Sequence, residues 1–431
     1  MASTISTLIK NGTVYDPMTS IFNMQKDVFL HQGKIALLGD KLDQDQLLHL
    51  TSTWSEFDAN GCLVCPGLID LHVHCFPTRT SLGVDPDVHC LPRGVTTVID
   101  AGSAGINDFK EFKSYTATKK TRILALLHVS RPGLTRAGCA TDDLSVGELE
   151  CIDDVDIDGC VECVAANPTL IVGTKLRLSA QIAKAGENEL EALRRALKIR
   201  RRVGLPLMVH HSFSTIPLTP TEESDLGVPG SLFSGDIRTH MYHGFNTNIV
   251  DPTTGCLDPS ILDGKQRGVH SDLGHGQGGF SWTVAEISAK ENVWPDAIST
   301  DLHTGNVNGP AYDLPTVMTK LLHVGMPLSA VIEAVTSKPA TIIGCGNKIG
   351  SLAPGVCADV TVLRLEDWDE LLEDTQGQMR KVKQRFAPVA VWKSGERVEI
   401  NDKVCPNKDP QYMLDVTKEW KDLVVHDIHQ E

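Results

Sequence analysis

Two histidines spaced two residues apart in an apolar stretch are the first residues of this sequence that could do chemistry. His72 and His74 end the run GLIDLHVH, whose apolar character predicts a buried strand. Because alternate side chains of a strand point to the same side, both imidazoles would face one way. A single histidine in such a strand is usually structural. Two on one side predict a metal-binding pair.

A lysine in a second apolar run is another residue that could do chemistry. Lys175 stands in LIVGTKLRLS, where burial would disfavour the charge of its amine. One interpretation is a buried ion pair with Asp301 or Asp100. The other is that the neutral amine has taken up carbon dioxide. The resulting carbamate would bridge two metal ions through its two oxygens, as a carboxylate does.

Three further runs end in residues that bind metals. His210 and His211 end PLMVHHS, and His240 and His243 end GDIRTHMYHG. Neighbouring side chains of a strand point to opposite faces, so only one of His210 and His211 would enter the space that holds His72. The pair His240 and His243 has the same ambiguity. Asp301 follows AIST, where a buried carboxylate would be costly without a partner, and it could bind a metal and handle a proton of water.

The elements that must position these residues follow from a repeated pattern. Eight apolar runs end between residues 66 and 344, most of them roughly 30 residues apart, which is the length of one strand–helix–strand repeat. The stretch 187–203 shows the helical period, with Leu190, Leu193 and Leu197 on one face. These features predict an α/β fold, a (β/α)₈ TIM barrel with its active site at the carboxyl ends of the strands. An open doubly wound sheet is the rival, weakened by the lack of a G-x-G-x-x-G motif after the first strand.

The two ends of the chain have a different character from the middle. Both are rich in short strand and turn patterns. We therefore predict two domains, a TIM barrel over 65–344 and a small β-sandwich built from 1–64 together with 345–431. A separate small domain at each end is the alternative. An extended loop is expected around 132–140, and a polar surface appendage after Asp402.

Composition excludes several classes of partner. The chain of 431 residues carries 40 Lys and Arg against 55 Asp and Glu, a formal net charge of -15. This balance argues against nucleic acid or an anionic membrane surface as the main partner. No apolar run reaches the length of a membrane span, and the N-terminus does not resemble a signal peptide. The 12 cysteines, diluted over a long chain, predict free thiols in a reducing cytoplasm.

Taken together, these motifs resemble the amidohydrolase superfamily of metal-dependent hydrolases, over nearly the whole chain. The phrases GTKLRLS, DIRTHMYHG and DLGHGQGGFSW are most similar to a dihydroorotase-like branch of amidohydrolases and deacetylases. The resemblance implies His72 and His74 on one metal, His210 and His240 on a second, and carboxylated Lys175 between them. Asp301 would bind the first metal and shuttle a proton. The roles of His211 and His243 stay open.

The chemistry implied is hydrolysis of an amide or ester bond. Two divalent ions, zinc being the best match to these ligands, would share a hydroxide that attacks a polarised carbonyl. The expected substrate is a small N- or O-acylated carboxylate, which makes the protein a zinc-dependent deacetylase. Self-association is also expected, since superfamily members often form homo-oligomers.

Substrate contacts and alternatives complete the interpretation. Arg177 points the same way as Lys175 and could bind a substrate carboxylate, or form a structural ion pair. His275 lies in a glycine-rich loop and is expected to face the substrate, whereas His303 is expected to be a loop residue. A cyclic-amide hydrolase is the nearest alternative, although Cys75 and Phe76 replace the usual H-x-H-x-R pattern. A non-catalytic binding barrel is disfavoured because all six ligand positions are filled.

Overall fold

The computed structural model describes residues 6–136 and 147–401, with fifteen strands and ten α-helices in those ranges. The strands are β1 Thr7–Asp16, β2 Ile21–His31, β3 Lys34–Gly39, β4 Ser55–Asp58, β5 Leu63–Pro66, β6 Leu68–Val73, β7 Val95–Ala101, β8 Arg122–His128, β9 Ile171–Leu178, β10 Leu207–His211, β11 Ile237–Thr239, β12 His270–Ser271, β13 Val360–Glu373, β14 Met379–Lys393 and β15 Glu396–Val398. The helices are α1 Gln44–Leu48, α2 Pro86–His89, α3 Phe109–Thr116, α4 Ile157–Ala166, α5 Glu189–Val203, α6 Pro259–Gln266, α7 Trp282–Lys290, α8 Leu314–His323, α9 Leu328–Ala334 and α10 Ser337–Ile342. Much of the loop expected around 132–140, and the appendage after Asp402, lie outside the described residues.

The middle of the chain forms a barrel of parallel strands. Strands β6 to β12 pair in sequence order, every pair parallel. The segment 297–302 makes parallel bridges to Asp272 and Val73, beside the last and first strands, and so lies between the two edges. Alternate strand residues such as Ile69, Leu71 and Ile99 are buried together in one cluster, as expected of a filled barrel interior. The prediction of an α/β fold of the TIM-barrel type is confirmed, with seven of the eight predicted strands formed, and the doubly wound sheet is wrong.

Helices follow most barrel strands, and the sequence pattern explains the longest of them. In α5, Leu193 and Leu197 are buried, as their helical spacing predicts, and Lys198 is exposed. Three arginines in its last turn complement the carbonyl end of the helix dipole. Gly204 ends the helix with a φ of 71°, a left-handed conformation that glycine adopts without strain. The predicted helix over 187–203 is thus confirmed, beginning two residues later.

Strands from both ends of the chain form a second, eight-stranded sheet. Its order is β15-β14-β13-β5-β1-β2-β3, with β4 paired to β1. A separate cluster of buried apolar residues, including Ile9, Val28 and Trp392, stabilises it. Both chain ends therefore contribute to one sheet. The sandwich arrangement and the residue boundaries of the two domains remain predictions.

The two sheets are joined closely. Strand β5 leads directly into β6 through Gly67, where a Cβ would lie only 2.2 Å from the hydroxyl oxygen of Thr96. Asp359, directly before β13 of the eight-stranded sheet, pairs with Arg122 of the barrel. The hairpin of β13 and β14 reaches α8, where the Phe386 N–H donates to the Thr319 hydroxyl at 3.1 Å. No helix in the described ranges is both long and apolar enough to cross a membrane.

Candidate metal centre

All six predicted ligands lie where barrel strands end. His72 lies in β6 and His74 just after it, while Lys175 and His210 lie in β9 and β10. His240 follows β11 directly, and Asp301 belongs to the segment 297–302 that closes the barrel. Since parallel strands share one carboxyl edge, these side chains converge on one mouth of the barrel.

The distances show that these side chains form a single cluster. Asp301 Oδ1 lies 3.3 Å from His72 Nε2 and 3.0 Å from His74 Nε2. Lys175 Nζ lies 3.2 Å from His72 Nε2. The His240 ring centroid is 5.2 Å from that of His72 and 4.2 Å from that of His210. The division of these residues between two metal ions remains a prediction.

Hydrogen bonds on the far side of three rings orient them toward the centre. His240 Nδ1 donates to the Gly274 carbonyl oxygen at 2.7 Å, which leaves the unprotonated Nε2 facing inward. His72 Nδ1 lies 3.0 Å from the Thr239 hydroxyl and 3.4 Å from Asp272, and His74 Nδ1 lies 3.1 Å from the Ser103 hydroxyl. Such outer contacts are typical of imidazoles that bind metals.

The polar atoms at the centre fit a cation. One ligand atom from each of His72, His240 and Asp301 lies within 4.8 Å of the others. His240 Nε2 and Asp301 Oδ1 are buried and have no hydrogen-bond partner in the described residues. The converging imidazole nitrogens and carboxylate oxygen repel each other unless a proton or a metal ion lies between them. This donor set is the one that zinc and related divalent ions prefer.

Electrostatics keep these groups in the protonation states that metal binding needs. Burial lowers the pKa of His240 to about 3 and that of His72 well below its ordinary value, so both imidazoles are neutral. Burial would by itself raise the pKa of Asp301, but the neighbouring imidazoles hold it well below its usual range. Burial lowers the pKa of Lys175 to about 8, so a neutral amine is within reach near neutral pH.

Two of the ligands occupy a strained backbone conformation. His240 has a φ of 62° and Asp301 a φ of 48°, in the left-handed region, which is uncommon for residues other than glycine, although Asp and His adopt it more often than most. The glycine-rich loop 274–279 packs against both. A Cβ at Gly276 would lie 2.5 Å from Asp301 Oδ2, so a larger residue would displace the carboxylate. The surrounding structure, not local preference, holds these two side chains in place.

The contacts of each histidine show which member of the pairs His210 and His211, and His240 and His243, belongs to the cluster. His211 turns away from the centre and its Nε2 lies 2.8 Å from the Ile216 carbonyl oxygen. His243 Nδ1 accepts the Phe245 N–H at 3.3 Å. His210 and His240, in contrast, have their rings in contact within the cluster. His303 lies beside the cluster, its ring centroid 6.5 Å from that of His74.

The two expected substrate contacts have protein partners. Nε and Nη2 of Arg177 donate to the two oxygens of the buried Glu148 at 2.6 and 2.7 Å, which is the structural ion pair considered from the sequence. His275 is fully buried, with Nδ1 3.0 Å from the Gly276 carbonyl oxygen and Nε2 2.9 Å from Lys320 Nζ. A substrate-binding role for Arg177 and His275 remains a prediction.

Several residues of the site were missed from the sequence. Asp272 receives hydrogen bonds from Thr239 and Ser299, each at 2.6 Å, and supports the His72 ring. Its place at the end of the seventh apolar run was a usable signal. Glu148 carried none, because it stands in an irregular segment. Lys320 did carry one, since it is a charged residue within the apolar helical stretch PTVMTKLLH.

Comparisons with known proteins agree with this geometry. Residues 260–398 match the sequence profile of the Amidohydrolase family. A deacetylase from Agrobacterium fabrum is 34% identical over 369 residues, which cover 83% of this chain and 82% of the relative. The crystal structure of a dihydroorotase superposes with a TM-score of 0.80 at 31% identity, covering 93% of this chain and 99% of that one. That of an adenine deaminase has the same TM-score at 29% identity, covering 91% and 99%.

Proposed function

Because this chain belongs to the amidohydrolase superfamily, we propose that it is a zinc-dependent deacetylase acting on a small N- or O-acylated carboxylate. Its class of reaction is metal-dependent hydrolysis of an amide or ester bond. The single observation that carries the proposal is the convergence of His72, His240 and Asp301, in which His240 Nε2 and Asp301 Oδ1 are buried without hydrogen-bond partners in the described residues. The deacetylase relative from Agrobacterium supports the choice of acyl group.

The residues present would hold two ions. We assign His72, His74 and Asp301 to one, His210 and His240 to the other, and a carbamate on Lys175 between them. The carbamate forms when the neutral amine bonds to the carbon of carbon dioxide and releases one proton. When bound, the two ions supply polarisation of the substrate carbonyl and lower the pKa of water toward neutrality.

Asp301 would manage the proton in this reaction. Its pKa is held low, so it starts as a carboxylate able to accept a proton. Oδ1 contacts His72 and His74. We assign the Asp301 carboxylate to take the proton of the attacking water and deliver it to the leaving nitrogen or oxygen. The Asn306 side chain donates to the Asp301 carbonyl oxygen at 2.7 Å and steadies the residue.

A cyclic-amide hydrolase is the second candidate. The superposition on a dihydroorotase over almost its full length favours it. Against it, Cys75 and Phe76 follow the His72 and His74 pair, and the Cys75 N–H donates to Asp100 at 2.9 Å. The arginine that cyclic amidases usually carry after the second histidine is therefore missing.

The test combines a substrate panel with metal analysis. We expect one to two zinc ions per chain. We also expect hydrolysis of one enantiomer of some N-acetyl amino acids or O-acetyl hydroxy acids. The panel includes dihydroorotate and a hydantoin, whose exclusive turnover would transfer the assignment to cyclic amides. Wild-type protein that binds no metal after growth with zinc would contradict the proposal.

Two variant pairs make this test specific. His210→Gln should lose metal and nearly all turnover, whereas His211→Gln should keep its metal because His211 faces away from the cluster. Lys175→Ala should lose the bridging group and with it one metal ion. Reconstitution of metal-free wild type should be faster with bicarbonate present, and Lys175→Ala should show no such dependence. Full activity of Lys175→Ala would rule out the carbamate.

Location and partners are also proposals. The ten cysteines in the described residues are free thiols, which fits a reducing cytoplasm. The acidic balance of the chain fits a small-molecule substrate, with neither nucleic acid nor membrane as partner. Self-association into a homo-oligomer remains part of the proposal, and size-exclusion chromatography with light scattering tests it.

A further inference from the structure

A fully buried lysine lies behind the candidate metal centre, on a helix that contributes no ligand. Lys320 in α8 has no exposed surface. Its ammonium contacts three acceptors, namely His275 Nε2 at 2.9 Å, the Pro310 carbonyl oxygen at 2.9 Å and the Glu373 carbonyl oxygen. An ammonium has three hydrogens to donate, so this environment satisfies it completely. A charge buried at such cost and satisfied so fully indicates a specific role.

The acceptors of Lys320 determine the state of His275. An ammonium can only donate, so His275 Nε2 must be the unprotonated nitrogen. Its Nδ1 then carries the proton and donates to the Gly276 carbonyl oxygen at 3.0 Å. The ring is also stacked on Phe280, with centroids 4.8 Å apart and planes 14° apart. The hydrogen bonds of both ring nitrogens and the stacking on Phe280 therefore hold His275 in a single orientation.

His275 belongs to the loop that orients two of the metal ligands. The preceding residue, Gly274, offers its carbonyl oxygen to His240 Nδ1 at 2.7 Å. The following residue, Gly276, packs against Asp301 and donates its N–H to the Thr300 carbonyl oxygen at 2.9 Å. His240 and Asp301 are the two ligands with left-handed backbones, which need support from their surroundings. A path of direct contacts thus runs from Lys320 through His275 to both.

The other end of this path lies in the eight-stranded sheet. Glu373, whose carbonyl oxygen accepts from Lys320, is the last residue of β13. Thr375 lies in the turn after β13. Its N–H donates to the Phe280 carbonyl oxygen at 2.9 Å, and its hydroxyl accepts the Phe280 N–H. Asp374 accepts the Trp282 N–H at 3.0 Å. The turn of the β13–β14 hairpin is therefore fastened to the same loop segment.

We propose that Lys320 is a positioning residue, which acts through His275 and the loop 274–279 to hold His240 and Asp301 in their metal-binding orientation. The hairpin of the eight-stranded sheet completes this support. The inference rests on the proposed metal-dependent function. It assigns His275 to the support of the site and not to the substrate.

The experiment measures metal binding directly, apart from turnover. Metal-free wild type, Lys320→Met, His275→Gln and the double variant are titrated with Co²⁺, and the visible absorption of the bound ion reports affinity and ligand geometry. Each single variant should weaken Co²⁺ binding by about 10–100-fold, as losses of outer contacts to metal ligands do. The double variant should be no weaker than the weaker single one, because both changes break one path. In the zinc-loaded enzymes kcat should fall while KM stays unchanged.

A neighbouring residue gives the control. Thr319→Val removes a buried hydroxyl from the same helix, which bonds to Pro315 and Phe386 and not to His275. It should lower thermal stability while Co²⁺ affinity and spectrum stay those of the wild type. If Lys320→Met does not fold, His275→Gln alone tests the path, since it leaves the two carbonyl acceptors of Lys320 in place.

The possible failures are distinguishable. Wild type that binds no Co²⁺ would contradict the proposed function and with it this inference. Wild type that binds Co²⁺ while folded Lys320→Met or His275→Gln binds it equally well would overturn the inference alone. Losses that multiply in the double variant would also overturn it. A raised KM in His275→Gln with unchanged Co²⁺ affinity would return His275 to the substrate pocket.

Discussion

Glu148 shows how a single buried carboxylate can shape the barrel mouth. It has no exposed surface and lies between Arg177, which binds both of its oxygens, and His128, whose Nε2 is 3.7 Å away. Burial would by itself raise the pKa of Glu148. The Arg177 guanidinium outweighs that effect and lowers the pKa from its ordinary value of 4.5 to about 2.

This shift predicts a pH-dependent contribution to stability. The folded-state pKa lies below the unfolded one, so the contribution is present above about pH 4.5 and is lost as pH falls toward 2. Glu148→Gln should therefore reduce the free energy of unfolding at pH 7 by about 3–5 kcal/mol, the cost of breaking a buried pair. Its stability should also fall less steeply with acid. Urea unfolding at a series of pH values measures both effects.

The control for this prediction is Glu150→Gln. The Glu150 side chain is exposed and accepts the Lys184 N–H at 3.2 Å, so loss of its charge should change stability by less than about 0.5 kcal/mol. Equal stability of Glu148→Gln and wild type at pH 7 would count against the buried pair.

At this scale the sequence predicted which side chains converge but not the residues that support them. The alternation of side chains along a strand was enough to pair His72 with His74. It could not choose between His210 and His211 without the family resemblance. The contact of Arg177 with Glu148 joins residues 29 positions apart through an irregular segment, and no periodicity predicts such a contact.

At the scale of elements, α8 matters because it carries Lys320. Asp313 precedes the helix and its side chain accepts the Thr316 N–H at 2.8 Å, with Pro315 in the first turn. This is an N-cap, which satisfies a backbone donor that has no partner within the helix. Asp313 is also buried and lies 3.4 Å from Arg93 Nη1. The start of α8 is therefore determined by one side chain.

Removal of this cap should destabilise the protein measurably. Asp313→Ala should reduce the free energy of unfolding by about 1–2 kcal/mol for the cap, and by more because the Arg93 contact is lost as well. Asp258→Ala removes the same type of cap from α6, where Asp258 accepts the Ser260 N–H at 2.8 Å and is only half-buried. Chemical denaturation of both should show the larger loss for Asp313→Ala. The reverse order would show that burial at α8 adds nothing to the cap.

The strands themselves show where sequence patterns stop being informative. Seven of the eight predicted apolar runs contain a barrel strand, and the eighth makes only isolated bridges. Strands β11 and β12 have only three and two residues. Their ladders end early because the chain turns into left-handed conformations at His240 and then into the glycine-rich loop. Contacts with other strands impose those turns, so local propensity could not predict them.

At the scale of the whole molecule, the eight-stranded sheet and the barrel share a hydrogen-bonded contact far from where the chain connects them. Asp374, in the turn between β13 and β14, is fully buried and accepts N–H groups from Trp282, Gln376 and Gln378. The first of these belongs to the barrel and the other two to the turn. One carboxylate therefore shapes the turn and attaches it. The sequence predicted that both chain ends share one unit, but not that this unit reaches the loop beside the metal centre.

Substitutions of two aspartates of this hairpin test how much that contact contributes to stability. Asp374→Ala leaves the buried Trp282 N–H without an acceptor, at a cost of about 1–3 kcal/mol, and also removes two part-buried hydrogen bonds of the turn. Asp369→Ala removes an exposed carboxylate that pairs with Lys381 and Lys383, where surface ion pairs contribute about 0–1 kcal/mol. Calorimetry should show one transition for wild type and Asp369→Ala. Asp374→Ala should melt at lower temperature, with tryptophan fluorescence changing before far-ultraviolet circular dichroism because the contact at Trp282 opens first. Equal melting temperatures of the two variants would mean that the barrel keeps the loop 274–279 in place without the hairpin contact.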